Sequence, residues 1–127
     1  MSARPRKIRV GHLTYSILVD VAAIRKASAD ANLNEGDEWS AFSDHDKLII
    51  GINPTNPVEV QRRDVLHELL HCTLRYSGVW PNAYARTVEK AGEDDGYTVE
   101  EFMVASASAP LLGVLRDNPT LVRWLTT

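Results

Sequence analysis

Residues 67 to 71 read HELLH: two histidines four apart, with a glutamate directly after the first. On an α-helix, residues four apart stand one turn above each other, so the imidazoles of His67 and His71 can aim at one point. Such a pair can hold a tetrahedral Zn²⁺ through bonds of about 2.0 to 2.1 Å to nitrogen. Glu68 lies about 100° further round the helix, off the histidines' line but within reach of a water at the same ion. Amide hydrolysis needs this division of roles. The metal acidifies the water and polarises the carbonyl, while the carboxylate takes the proton and delivers it to the leaving amine. The expected roles are metal ligands for His67 and His71 and general base for Glu68. The competing reading is a pair of structural histidines on a leucine-rich helix, yet a buried helix carries two histidines and a glutamate at a cost unless something satisfies them.

A catalytic zinc usually has three protein ligands and one open position. No histidine follows His71, and the single Cys72 allows neither a disulfide nor a cysteine-based metal site. A downstream carboxylate is the remaining choice, from Glu89, Glu93, Asp94, Asp95, Glu100 and Glu101. The first four lie in or beside a polar stretch that reads as solvated surface. Glu100 and Glu101 open an apolar helix, which can press a carboxylate against the motif helix. Glu101 is followed at helical spacing by Ala105 and Ser108, small enough for close approach, although Thr98 and Glu101 also form the S/T-x-x-E pattern of a capping box. Glu100 aligns with Val104, Ala107 and Leu111, a second possible inward face. Glu101 is favoured as the third ligand, with Glu100 as the alternative. A donor for the developing oxyanion could come from Tyr76, Tyr84, Tyr97 or His45, none of them marked by spacing. Asp64, one turn before Glu68, could support the site from behind, but an ordinary acid in the first half of a helix is the simpler reading. Cys72 reads as a small core thiol and His12 as a solvated residue.

These groups need elements to hold them. The run NPTNPVEVQRRDVLHELLHCTLRYSG carries the sharpest helix signals: Asn56 as a cap, Pro57 at the first position, Glu59 three after the cap and Gly78 as the stop. It predicts a helix of about 21 residues, about 31 Å long, with Val65, Leu66, Leu69, Leu70 and Leu74 as a broad apolar surface. IRVGHLTYSILVD alternates as a strand does, with its phase changing at Gly11 and His12, which predicts a turn or bulge there. A short helix follows from the cap Asp20. Trp39 to Phe42 and Lys47 to Ile52 flank the turn-rich SDHD as a β-hairpin. After the motif helix, residues 79 to 98 read as a loop, and Trp80 to Tyr97 would shape access to the site. A helix opened by Thr98 and kinked at Pro110 comes next, and Asn118 with Pro119 starts a last one.

The chain has 127 residues, enough for one domain with a real core, taken here as residues 1–127 with 1–7 as a flexible basic arm. Its hydrophobic share of 44%, charged share of 24% and net charge of −3 are those of an ordinary globular protein and demand no polyanionic partner. Nucleic acid is therefore not expected, and the basic arm and scattered Trp39, Trp80 and Trp124 do not form a stacking platform. No apolar run approaches the roughly 18 residues of a membrane span, and no signal-like apolar segment follows the N-terminus. With one cysteine, a cytoplasmic location is expected.

RRDVLHELLH, followed some thirty residues later by VEEFMV and then LRDNPTLVRWL, resembles the small zincin-like metallopeptidase domains of bacterial and phage proteins. More distantly it resembles the gluzincins and the ImmA/IrrE-type peptidases. The resemblance covers most of the chain from WSAFSDHDKLIIGINP onward. It implies a minimal α+β domain in which a small three-stranded, largely antiparallel sheet packs on the motif helix, with further C-terminal helices. It also implies Zn²⁺ held by His67, His71 and Glu101, Glu68 as the base, a protein or peptide substrate, and a strand beside the site, for which Lys47 to Ile52 is the natural candidate. Two signatures of those relatives are missing: N-E-x-x-S-D, so that no Asp follows four residues after Glu101, and the E-A-N run. The expectation is a zinc-dependent peptidase. Its alternative is a non-catalytic zinc-binding or assembly module of a phage or mobile-element system.

Overall fold

The change of hydrophobic phase at Gly11 is a turn. In the computed structural model, which describes residues 3–31, 39–77 and 96–127, β1 (Lys7–Val10) and β2 (Leu13–Val19) pair antiparallel, with Ile8 opposite Tyr15 and Val10 opposite Leu13. Gly11 stands at φ +61°, a region open to glycine at no steric cost. The Tyr76 ring closes over it, so that an added Cβ would lie 2.0 Å from the ring's Cζ. α1 (Val21–Asp30) starts as predicted, with Asp20 accepting a hydrogen bond from the Ala22 amide at 2.9 Å.

β3 (Ala41–Asp44) and β4 (Ile49–Ile52) form the second hairpin. Asp44 Oδ1 accepts from the amides of Asp46 and Lys47, which folds the turn, and Leu48 closes it at φ +56°. The sheet order is β1-β2-β4-β3, and β2 and β4 run parallel with Ile17 opposite Ile50. The expected three-stranded, largely antiparallel sheet is thus corrected to a mixed sheet of four strands in an α+β fold. The turn at Gly11 makes two strands of the first run, and the crossover through α1 returns the chain parallel to β2. β4 suits its inner position because Ile50, Gly51 and Ile52 are all buried.

α2 (Val58–Tyr76) packs against β3 and β4. Asn56 does not cap it. Pro57 occupies the cap position without a side-chain bond, and Asn56 Nδ2 donates instead to Ser40 Oγ at 2.8 Å. Gln61 Nε2 reaches back to the Asn56 carbonyl at 2.8 Å, and Arg4 Nη1 donates to Gln61 Oε1 at 2.7 Å. The arm expected over residues 1–7 is held from Arg4 onward: Pro5 is buried, the Arg6 carbonyl accepts from Ile17 N, and Lys7 opens β1. Burial of α2 is also narrower than the leucine pattern suggests. Val65, Leu69 and Cys72 are fully buried, whereas Leu66 and Leu70 remain exposed.

α3 (Gly96–Asp117) contains Pro110 and packs on α2 and β1, and α4 (Pro119–Thr126) begins at its proline as predicted. Val114, Leu121 and Trp124 complete a core with Ile8, Val10, Tyr15, Ile50, Ile52, Val65 and Leu69. Among the described residues no helix is long and apolar enough to cross a membrane.

Candidate active site

One turn of α2 brings His67 Nε2 and His71 Nε2 to 3.2 Å, with the rings inclined at 69°. Two bonds of about 2.0 to 2.1 Å at a tetrahedral angle require the nitrogens to stand about 3.3 Å apart, close to the spacing of this pair. Both histidines are exposed, facing a groove of about 650 Å³ between α2 and the β3 segment. Glu68 borders the same groove but is only 7% exposed, and among the described residues nothing donates a hydrogen bond to its carboxylate. A carboxylate that borders the groove with no donor bound to it is available for proton transfer.

The groove's other wall is Trp39 to Ser43 and His45, so the strand beside the site is β3 and not the predicted Lys47 to Ile52. β4 is the inner strand of that hairpin, which leaves β3 as the edge. Asp64 pins the two walls together. It accepts a hydrogen bond from Ser40 Oγ, and its Oδ1 accepts from Arg63 Nε at 3.1 Å and Nη2 at 2.8 Å. It therefore positions the helix against β3 and makes no bond to the motif histidines.

Of the oxyanion-donor candidates whose side chains are described, Tyr76 and His45, His45 is placed in the groove. Its Nδ1 lies 3.0 Å from the buried Tyr15 hydroxyl, with the rings edge to face. Burial, reinforced by the neighbouring Cys72, raises the Tyr15 pKa, so the phenol keeps its proton. Burial likewise pushes the Cys72 thiol up to about 12, and it is the core thiol expected. Tyr15 was not legible as a site residue, because its inward strand phase marks a core position and nothing local shows which ring it meets. Tyr76 points elsewhere, 3.4 Å from His12 Nδ1. Tyr84, Glu89, Glu93, Asp94, Asp95 and Trp80 lie outside the described residues, as does most of the predicted access loop.

Glu100 and Glu101 stand in the opening turns of α3, both exposed. Among the described residues no group of three His, Cys, Asp or Glu side chains is placed to hold one ion. Two nitrogens, from His67 and His71, stand together there, one ligand fewer than a catalytic zinc usually takes from protein.

Burial lowers the His45 pKa, with the positive charge of Arg75 and the neighbouring His71 adding to the effect. An imidazole that resists protonation when folded gives the unfolded chain the greater proton uptake, so this histidine costs stability as pH falls below about 6.5, the unfolded value. Melting curves of metal-free protein are expected to shift to lower temperature from pH 7.5 to pH 5. His45→Gln should flatten part of that slope, and an unchanged slope in the variant would contradict the assignment.

No family model, curated protein or solved structure matches the chain.

Proposed function

We propose that this chain is a zinc-dependent peptidase of zincin-like fold. His67 and His71 are its metal ligands, Glu68 is its general base, and Glu101, with Glu100 as the alternative, would have to approach the histidines to serve as the third ligand. The observation that carries the reading is the 3.2 Å convergence of the two Nε2 atoms in a groove that the buried Glu68 also borders. Zinc, when bound, supplies Lewis acidity that makes water a nucleophile near neutral pH and polarises the scissile carbonyl. Glu68 accepts the proton released by the attacking water and returns it to the leaving nitrogen. The Tyr15–His45 contact permits the tautomer in which Tyr15 donates to His45 Nδ1 and the ring's Nε2–H is a donor for the negative charge that develops on the carbonyl oxygen. β3, as an edge strand on the groove, offers unpaired backbone groups to an extended peptide.

Metal stoichiometry in protein purified without chelator tests the reading. Wild type is expected to hold one zinc per chain and His67→Ala to lose it. A wild-type chain that neither carries nor takes up zinc would remove the proposal. Zinc bound without cleavage of any peptide in a broad library would favour the non-catalytic module.

A further inference from the structure

Arg63, His67, His71 and Arg75 stand four residues apart on α2, and all four border the same groove. Twelve residues at 1.5 Å each place the two arginines about 18 Å apart along the helix, with the histidines between them. The opposite wall follows the same axis. Ser40 bonds Asp64 near one end, and at the other His45 lies within electrostatic reach of His71 and Arg75. The groove is therefore a trough running along α2. An extended chain advances about 3.3 Å per residue, so about five or six residues span the distance between the arginines.

The charges in this trough are unevenly satisfied. Asp64 is spent on Ser40 and Arg63, and its side chain is 9% exposed. Arg63 uses Nε and Nη2 on that carboxylate, which leaves its Nη1 donors on a side chain 69% exposed. Asp64 thus orients the guanidinium without covering it. Among the described residues no carboxylate lies within ion-pair distance of Arg75. Among the described residues Glu68 is the remaining acid of the lining, buried at the middle of the trough. No charged side chain reaches the trough from Trp39 to Ser43.

We propose that this trough binds extended acidic peptides, Arg63 and Arg75 receiving carboxylates two to three residues to either side of the peptide unit lying over His67 and His71. The central placement rests on the peptidase reading; the preference for acidic peptides rests on the two arginines alone. Because the chain carries a net charge of −3, the attraction is local and not a property of the whole molecule.

Fluorescence anisotropy on full-length Glu68→Gln protein, with and without zinc, tests this with labelled peptides carrying Asp on both sides of a central Ala-Leu bond. Asn and Lys peptides of the same length are the comparison. Exposed charge contacts of this kind are each worth about threefold in affinity, so the Asp probe should bind about tenfold tighter than the Asn probe. The advantage should shrink as sodium chloride is raised. Arg63→Glu with Arg75→Glu, shown to be folded by circular dichroism, should prefer the Lys probe. If that pair does not fold, Arg75→Ala alone should weaken the Asp probe about threefold and leave the Asn probe unchanged. Equal affinity for the Asp and Asn probes, or an acidic preference that survives loss of the arginines, overturns the proposal. If the acidic preference holds while zinc-loaded wild type cleaves none of the probes, the trough assignment stands and the peptidase reading falls. Cleavage without acidic preference gives the reverse.

Discussion

Glu68→Gln protein is expected to bind zinc as wild type does and to hydrolyse peptides about 10² to 10⁴ times more slowly. Gln matches Glu in shape, so it keeps the groove wall intact, but its amide has no basic site to take a proton from water at neutral pH. Two features of the structure sharpen this expectation. Glu68 sits one residue round α2 from His67, bordering the groove beside the converging Nε2 atoms without belonging to their line. Its carboxylate also accepts no hydrogen bond from the described residues, so an amide of the same shape breaks no such bond and should not lower the melting temperature. Loss of activity at undiminished stability is the signature of a chemical role. Glu68→Asp, shorter by one methylene, should fall between the two. Hydrolysis by Glu68→Gln at the wild-type rate would exclude Glu68 as the base, whatever the metal content.

Asn118→Ala is expected to destabilise the fold by about 2 to 3 kcal/mol, lowering the melting temperature by about 10 °C. Asn118 precedes α4 where a helix cap belongs, yet it makes no capping hydrogen bond. Its side chain is turned to β1. Oδ1 accepts from the Arg9 amide at 2.8 Å, and Nδ2 donates to the Arg9 carbonyl at 2.7 Å and to the Val114 carbonyl at 2.7 Å. Arg9 belongs to an edge strand, and Asn118 satisfies its outward backbone groups as a neighbouring strand would. The side chain is buried, so truncation strands those groups away from water. Asn118→Asp separates this role from capping, because Asp caps as well as Asn but cannot donate to two carbonyls. Chemical denaturation should find Asp no better than Ala here. An Asp variant as stable as wild type would show that Asn118 acts as a cap after all.

The elements that could be read from the chain are those whose causes are local. Gly11 announced its turn, Asp20 and Pro119 their helix starts, and the SDHD stretch its hairpin, because each depends on backbone preferences within a few residues. Where a local signal faced a competing partner, tertiary contact won. Asn56, read as a cap, is drawn to Ser40, and the basic residues at the start are held by Gln61 and β2. Leu66 and Leu70 matched the apolar pattern but stayed exposed, since a leucine stripe wider than the face the sheet can cover leaves its margin in solvent.

The HELLH spacing by itself determined that two imidazoles can converge, because the helix repeat sets the separation of their α-carbons, while the rotamers that bring the nitrogens together belong to the folded structure. Only the tertiary structure decided that β4 pairs parallel with β2, that β3 walls the groove, that Tyr15 meets His45, and that Arg63 and Arg75 flank the histidines in one trough. Those relations join residues far apart in the chain, and burial of the whole core selects them; no short run of residue types specifies them.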